Sequence, residues 1–136
     1  MILLCDECIG TNVPGALHLV RSKTHPYKTI SLRQKGWQSW KDPKWLKIAG
    51  EKRWLAFSAN KRMLQVTEEV ETIICEKVGI VFLTSGEEHL DKVLWLLLIK
   101  WKWLEDIDEH EQRPFAYFLS PNGRIKKQTL ISHDKP

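Results

Sequence analysis

The chain has little cysteine and no long apolar run, and each shortage removes a class of protein. Cys5, Cys8 and Cys75 are an odd, small set of three in 136 residues. That is too few for a disulfide scaffold, so a reducing compartment, and hence the cytoplasm, is the expected location. The longest apolar run, residues 93–99, falls far below the roughly 18 residues that a membrane span needs. The apolar start is interrupted at Asp6 with no basic residue before it, unlike a secretory signal. No membrane is expected among the partners. Neither sign of charge dominates: 21 Lys and Arg against 17 Asp and Glu leave a formal charge of +4. This leans mildly toward an acidic partner such as nucleic acid, and plain solubility explains it as well. Repeats and low-complexity linkers are also missing.

What is present is a 43% apolar content, enough to build a core without staples in a single domain over residues 1–136. "MILLC" reads as a short buried strand, and a helix is expected just past Asn12 and Pro14. "KTISL" is a second strand. Asp42 and Pro43 read as N-cap and first helical residue of a helix that puts Trp45, Leu46 and Ala49 on one face. "WLAFSA" is a central strand, residues 67–76 a helix, "GIVFLT" a strand, and 87–105 a long helix opened by a Ser85–Glu88 capping box. "FAYFL" and "RIKKQTL" flank the turn signal "SPNG" and predict a closing hairpin. Alternating strands and helices imply an α/β fold with a mainly parallel sheet covered on both faces.

"CDEC", residues 5–8, sets two chemistries against each other. A zinc site needs about four ligands, and only Cys75, His18 and His25 are at hand to join the pair. A redox pair needs a stabilised thiolate, which two intervening acids oppose. The cysteines therefore read as structural. The acids sit after the first strand, and sites in parallel α/β sheets gather at strand carboxyl ends. Asp42, beyond the second strand, and Asn60, after the third, fall on the same rim. Oxygen donors of this kind suit Mg²⁺ or Mn²⁺. Asp42 as a helix cap and Asp6 with Glu7 as a plain strand end account for the same residues without a metal.

Four blocks in succession carry a resemblance: "DECI" (6–9), "DPKWLKIAGEKRWLAFSANKRM" (42–63), "GIVFL" (79–83) and "RPFAYFLSPNGRI" (113–125). Together they resemble a divergent branch of the PIN-like domains of the VapC toxin type, small α/β ribonucleases found with an antitoxin. The resemblance implies a PIN-like three-layer fold, a central mainly parallel sheet flanked by helices, with a C-terminal hairpin at about 114–131. It also implies Mg²⁺- or Mn²⁺-dependent hydrolysis of RNA phosphodiester bonds and an antitoxin protein as partner. By position, Asp6 resembles the central metal ligand, Glu7 an accessory acid, and Asp42 the acid at a helix start that completes the pocket. The chain departs from the pattern at Asn60, where the family usually has aspartate. An amide oxygen can ligate a cation but brings no charge. Whether Glu68, Glu69, Glu87 or Glu88 makes up the missing carboxylate is open at this level. Asn60 also sustains an alternative, a catalytically weakened PIN-like module that binds nucleic acid or protein.

Basic and aromatic residues interleave near these acids. Lys61 and Arg62 follow Asn60, and Trp37, Trp40, Lys41 and Lys44 precede or surround Asp42. Cations for phosphates and flat rings for bases are what a single-stranded RNA groove uses; Trp45 is expected in the core. On the long helix, Leu90, Val93, Leu94, Leu97, Trp101 and Leu104 form a core face, while Leu96, Ile99 and Trp103 lie opposite. That second face needs cover from the hairpin, a second copy of the chain, or an antitoxin segment.

Overall fold

Leu55–Ser58 and Gly79–Leu83 are buried at every residue, as strands sandwiched between two helical layers must be. The computed structural model describes residues 1–6, 9, 12–22, 28–32, 35–37, 40–85 and 89–132, with backbone alone at 20–22 and 28. In chain order the elements are β1 (Ile2–Cys5), α1 (Asn12–Ser22), β2 (Lys28–Ser31), α2 (Asp42–Glu51), β3 (Leu55–Ser58), a 3-10 segment (Lys61–Gln65), α3 (Thr67–Cys75), β4 (Gly79–Leu83), α4 (Leu90–Ile99), α5 (Trp101–His110), β5 (Phe115–Leu119) and β6 (Ile125–Gln128). They build one six-stranded sheet in the order β2-β1-β3-β4-β5-β6. The first five strands are parallel, and β6 pairs antiparallel with β5 to close the expected hairpin.

Alternate residues of each strand enter two separate cores. Leu3, Cys5, Leu55, Phe57, Val81 and Leu83 pack with α1, α4 and α5. Leu4, Ala56, Ile80 and Phe82 pack with Trp45, Leu46 and Ala49 of α2 and with Met63 and Ile73. The connection from β4 to β5 thus returns on the α1 face, giving it the opposite hand to the three crossovers before it. The physical reason is cover: α2 and α3 shield one face, and α1 alone would leave the other side of β3, β4 and β5 bare.

Both α2 and α3 end in a left-handed residue that is not glycine, Arg53 (φ 56°) and Lys77 (φ 54°). Trp54 N–H returns to Ala49 C=O at 2.9 Å and Val78 N–H to Ile73 C=O at 2.9 Å. These paired C-terminal bonds turn the chain directly into β3 and β4. The two helices approach closely at Gly50, where an added Cβ would lie 2.3 Å from Glu76 O. At the amino end of the sheet, buried Asp108 accepts from Arg113 Nη2 at 2.6 Å, and Arg113 Nη1 donates to Trp54 C=O at 2.9 Å. Burial pulls the Arg113 pKa down, and the Asp108 charge opposes that fall.

Several expectations change. Pro14 lies inside the first turn of α1 rather than before it, a position where its missing N–H costs nothing. The single long helix is two, starting at Leu90 rather than Glu87, bending at Lys100 (φ −97°, ψ 5°) and running on to His110. The N-cap position of α4 is His89, and Glu87 and Glu88 lie outside the described residues. Leu90 is 48% exposed, whereas Leu96 is buried. The late start explains the exposure, since Leu90 stands at the first helical position, beyond the core edge. Trp103 is covered by the hairpin, edge-on to Tyr117 with ring centroids 5.3 Å apart, while Ile99 is 52% exposed.

Candidate active site

Adjacent strands β1 and β3 lead in opposite directions, β1 back to β2 and β3 onward to β4. The crevice at their carboxyl ends is where a doubly wound sheet binds its ligand. Asp6 follows β1 in that crevice. Its N–H donates to Phe57 C=O at 2.9 Å, and its C=O accepts from Ile9 N–H at 3.0 Å. Strand alternation turns its side chain to the α2–α3 face, where it is 4% exposed. Ser58, ending β3, donates its hydroxyl to Asp6 Oδ2 at 2.8 Å and accepts the Asn60 N–H at 3.0 Å. Asp6 is thus fixed by its neighbour strand before any ligand arrives.

Two helix N-termini converge on the same point, bringing their partial positive charge to it. Asp42 was expected as the N-cap of α2 with Pro43 first in the helix. The structure puts Lys41 at the cap with no side-chain bond, Asp42 first and Pro43 second. The Asp42 side chain is otherwise engaged: Oδ1 accepts from Trp45 Nε1 at 2.9 Å. Because Trp45 is fully buried, the indole gives that carboxylate a rigid mount. Glu68 and Glu69 stand in the first turn of α3. Glu69 hydrogen-bonds Asp42, and its carboxyl is pushed up to about 8, first by burial, then by that bond and by the negative charges of Asp42, Glu68 and Asp6. With its carboxyl raised to about 8, Glu69 carries its proton near neutrality.

The other candidates fall around this cluster. Asn60 is exposed and contributes its N–H to Ser58; Lys61 and Arg62 are exposed at the start of the 3-10 segment. Trp37 and Trp40 stack on each other, 4.6 Å between centroids and 10° between planes, and both lean on the core. Lys44 Nζ sits 3.9 Å from the Trp40 ring centroid, and Lys41 is exposed beside it. Cys5 is buried and Cys75 exposed. Glu7, Cys8 and His25 lie outside the described residues. Sequence reasoning missed Ser58 and the Trp45 support of Asp42. It named Glu69 only as one of four glutamates; the available signal was its place in the first turn of a helix feeding the same rim.

Among the described residues, no group of three or more His, Cys, Asp and Glu side chains is placed so that it could hold a metal ion. Asp6 and Asp42 are oxygen donors of the kind a hard divalent cation takes, and burial, followed by the negative charges of Asp42, Glu68 and Asp6, raises the neighbouring Glu69 carboxyl to about 8. Fold and site together define a doubly wound α/β domain with an acidic crevice at its switch point. The sequence matches the PIN like domain family over residues 1–85. The chain therefore belongs to the PIN-like domains, a nuclease-type superfamily. No curated protein and no solved structure matches it.

Proposed function

We propose that the chain is a cytoplasmic metal-dependent ribonuclease of the PIN-like toxin type, held in check by an antitoxin protein. The observation that carries this reading is buried Asp6 at the carboxyl end of β1, held by the Ser58 hydroxyl at 2.8 Å, with Asp42 and Glu69 in the first turns of α2 and α3 on the same side of the sheet. Asp6 and Asp42 would hold Mg²⁺ or Mn²⁺, with Glu7 and the Asn60 amide as further donors and Glu69 making up the carboxylate missing at Asn60. Bound there, the cation supplies positive charge to the phosphate and acidifies a water.

The protein groups divide the remaining work. Ser58 holds Asp6 in one orientation and Trp45 does the same for Asp42. Glu7 or Asp42 orients the attacking water and takes its proton. Lys61 and Arg62, exposed beside the crevice, attract the RNA backbone. The stacked Trp37 and Trp40, with Lys41 and Lys44, form a mixed aromatic and cationic surface of the sort that suits single-stranded RNA. The groove of about 640 Å³ between α2 and α3 is an unsuitable path for phosphates, since Glu68, Glu71 and Glu76 line it against Lys47 alone.

A second reading, a PIN-like module that binds nucleic acid or protein without cutting, is favoured by one observation. The position that usually brings an aspartate holds Asn60, and no described group of three acids is arranged for a metal. Calorimetry of Mn²⁺ and Mg²⁺ binding, alongside cleavage of single-stranded RNA, separates the two. The nuclease reading expects binding and cleavage by the wild type, with both abolished in Asp6→Asn. A wild type that does neither, while Asn60→Asp gains metal, overturns it in favour of the binding module.

A further inference from the structure

Asp6 belongs to a row of residues that crosses β1, β3, β4, β5 and β6 on one face of the sheet. Cys5 is level with Phe57, so Asp6 is level with Ser58, the residue that bonds it. Ser58 is in turn level with Phe82, Phe82 with Phe118, and Phe118 with Lys126. Residues level in register share a face, here the α2–α3 face, to which Phe82 and Phe118 both turn. At about 4.8 Å per strand, Phe118 lies about 14 Å from Asp6 and Lys126 about 19 Å.

Cover along the row is uneven. Ser58 and Phe82 are fully buried. Met63 of the 3-10 segment is buried in the same core as Phe82, and its neighbours Lys61 and Arg62 are exposed. Farther along, Phe118 is only partly buried and Lys126 is exposed. Phe82 meets Phe118 edge to face, with centroids 6.0 Å apart and planes at 87°, so it occupies at most one face of the Phe118 ring. Arg124, two residues before Lys126, falls on the same face and is exposed. Its N–H donates to Ser120 Oγ at 3.0 Å, which fixes the hairpin tip.

The charge of this surface has one sign. No Asp or Glu occurs between Glu111 and Asp134. Lys127, on the opposite face with Tyr117, is paired with Glu111 at 3.1 Å. Among the described residues, no ion pair engages Arg124 or Lys126. A partly open ring beside two unpaired cations suits a polyanion whose flat bases are free to stack. An acidic protein would answer the cations as well, but gives no reason for the row to lead from Asp6 past Lys61 and Arg62.

We propose that Phe118, Lys126 and Arg124 form a docking platform for single-stranded RNA. One base stacks on the Phe118 ring, its flanking phosphates pair with Lys126 and Arg124, and the strand leads over Lys61 and Arg62 to the crevice at Asp6. The platform rests on the ribonuclease reading for its ligand, and it lies outside residues 1–85, over which the PIN like domain family matches.

The test is fluorescence anisotropy of a labelled single-stranded oligoribonucleotide with the full chain in EDTA, which prevents metal-dependent cleavage, and circular dichroism to verify folding of each variant. Phe118→Leu keeps apolar bulk and removes the ring; it should weaken binding about tenfold. Lys126→Gln and Arg124→Gln should each weaken it about threefold and lower the slope of log affinity against log salt by about 0.7. Duplex RNA of the same sequence, whose bases are stacked inside, should bind Phe118→Leu and wild type alike. Mn²⁺ binding should be the same in all three variants, since none of them alters the crevice. A wild type that does not bind the single strand overturns the platform. So do Phe118→Leu and Lys126→Gln proteins that bind it as the wild type does, an outcome that leaves the nuclease reading standing where Asp6→Asn still abolishes cleavage. A wild type that binds through Phe118 and Lys126, yet neither takes Mn²⁺ nor cleaves, supports the platform and overturns the nuclease reading.

Discussion

Replacing Glu69 by glutamine tests the acidic crevice directly, because it keeps a hydrogen-bonding group of the same size and removes the titration. In the folded protein the Glu69 carboxyl is pushed from the ordinary 4.5 up to about 8 by burial, by its bond to Asp42, and by the charges of Asp42, Glu68 and Asp6. The unfolded chain releases this proton near 4.5, while the folded one keeps it until about 8. Between these values the folded state binds more protons, so stability falls as pH rises through the window. At about 1.4 kcal/mol for each pH unit, the ceiling is about 5 kcal/mol. Solvent screens a half-buried carboxyl, so a loss on the order of 2 kcal/mol is the working figure.

The assay is urea unfolding of metal-free protein from pH 5 to 8.5, on wild type and Glu69→Gln. The wild type should lose about 2 kcal/mol across the range, and the variant should lose much less and be the more stable of the two at pH 8. Mn²⁺ should restore the wild type at high pH and do little for the variant, since a cation bound by the folded state stabilises it by mass action. Equal pH profiles for the two proteins would refute the reasoning, because Glu69 would then not be crowded by acids at all.

Three further outcomes follow from other contacts. Ser58→Ala removes the hydroxyl that donates to buried Asp6 at 2.8 Å; about 1–2 kcal/mol of stability should go, with weaker Mn²⁺ binding by calorimetry. Arg113→Met leaves buried Asp108 without its 2.6 Å partner; even with Arg53 Nη2 still donating to the Asp108 C=O at 2.7 Å, about 3 kcal/mol should be lost in urea unfolding. Gly50→Ala drives a Cβ to 2.3 Å from Glu76 O, so α2 and α3 must separate, at about 2 kcal/mol. Because these helices carry Asp42 and Glu69, the melting temperature and the cation affinity of this variant should drop together.

The legible part of the fold is the part set by local pattern. "MILLC", "WLAFSA" and "GIVFLT" read as buried strands because a strand covered on both faces is apolar throughout, and they are β1, β3 and β4. Asp42 and Pro43 announced the start of α2 to within one residue. The long helix misled because hydrophobic periodicity runs straight through Lys100 and carries no trace of a bend that preserves the backbone hydrogen bonds on either side. Leu90 misled in a similar way, since periodicity assigns a face but not the point at which the core beneath it ends.

The candidate site divides along the same line. The position of Asp6 was legible because the apolar run before it marks where β1 ends. Ser58 was not, because a serine in a strand looks the same whether or not its hydroxyl faces an acid 52 positions earlier. The sequence by itself determined the α/β class, the buried strands and the rim on which the acids lie, since burial and secondary structure follow from the spacing of apolar residues and capping groups along the chain. The tertiary structure alone decided that Glu69 of α3 stands beside Asp42 and which side of α4 is left open. Both depend on how α3 and α4 dock against a sheet whose strand order places β1 beside β3. Such docking is set by distances across the fold, and spacing along the chain does not encode them.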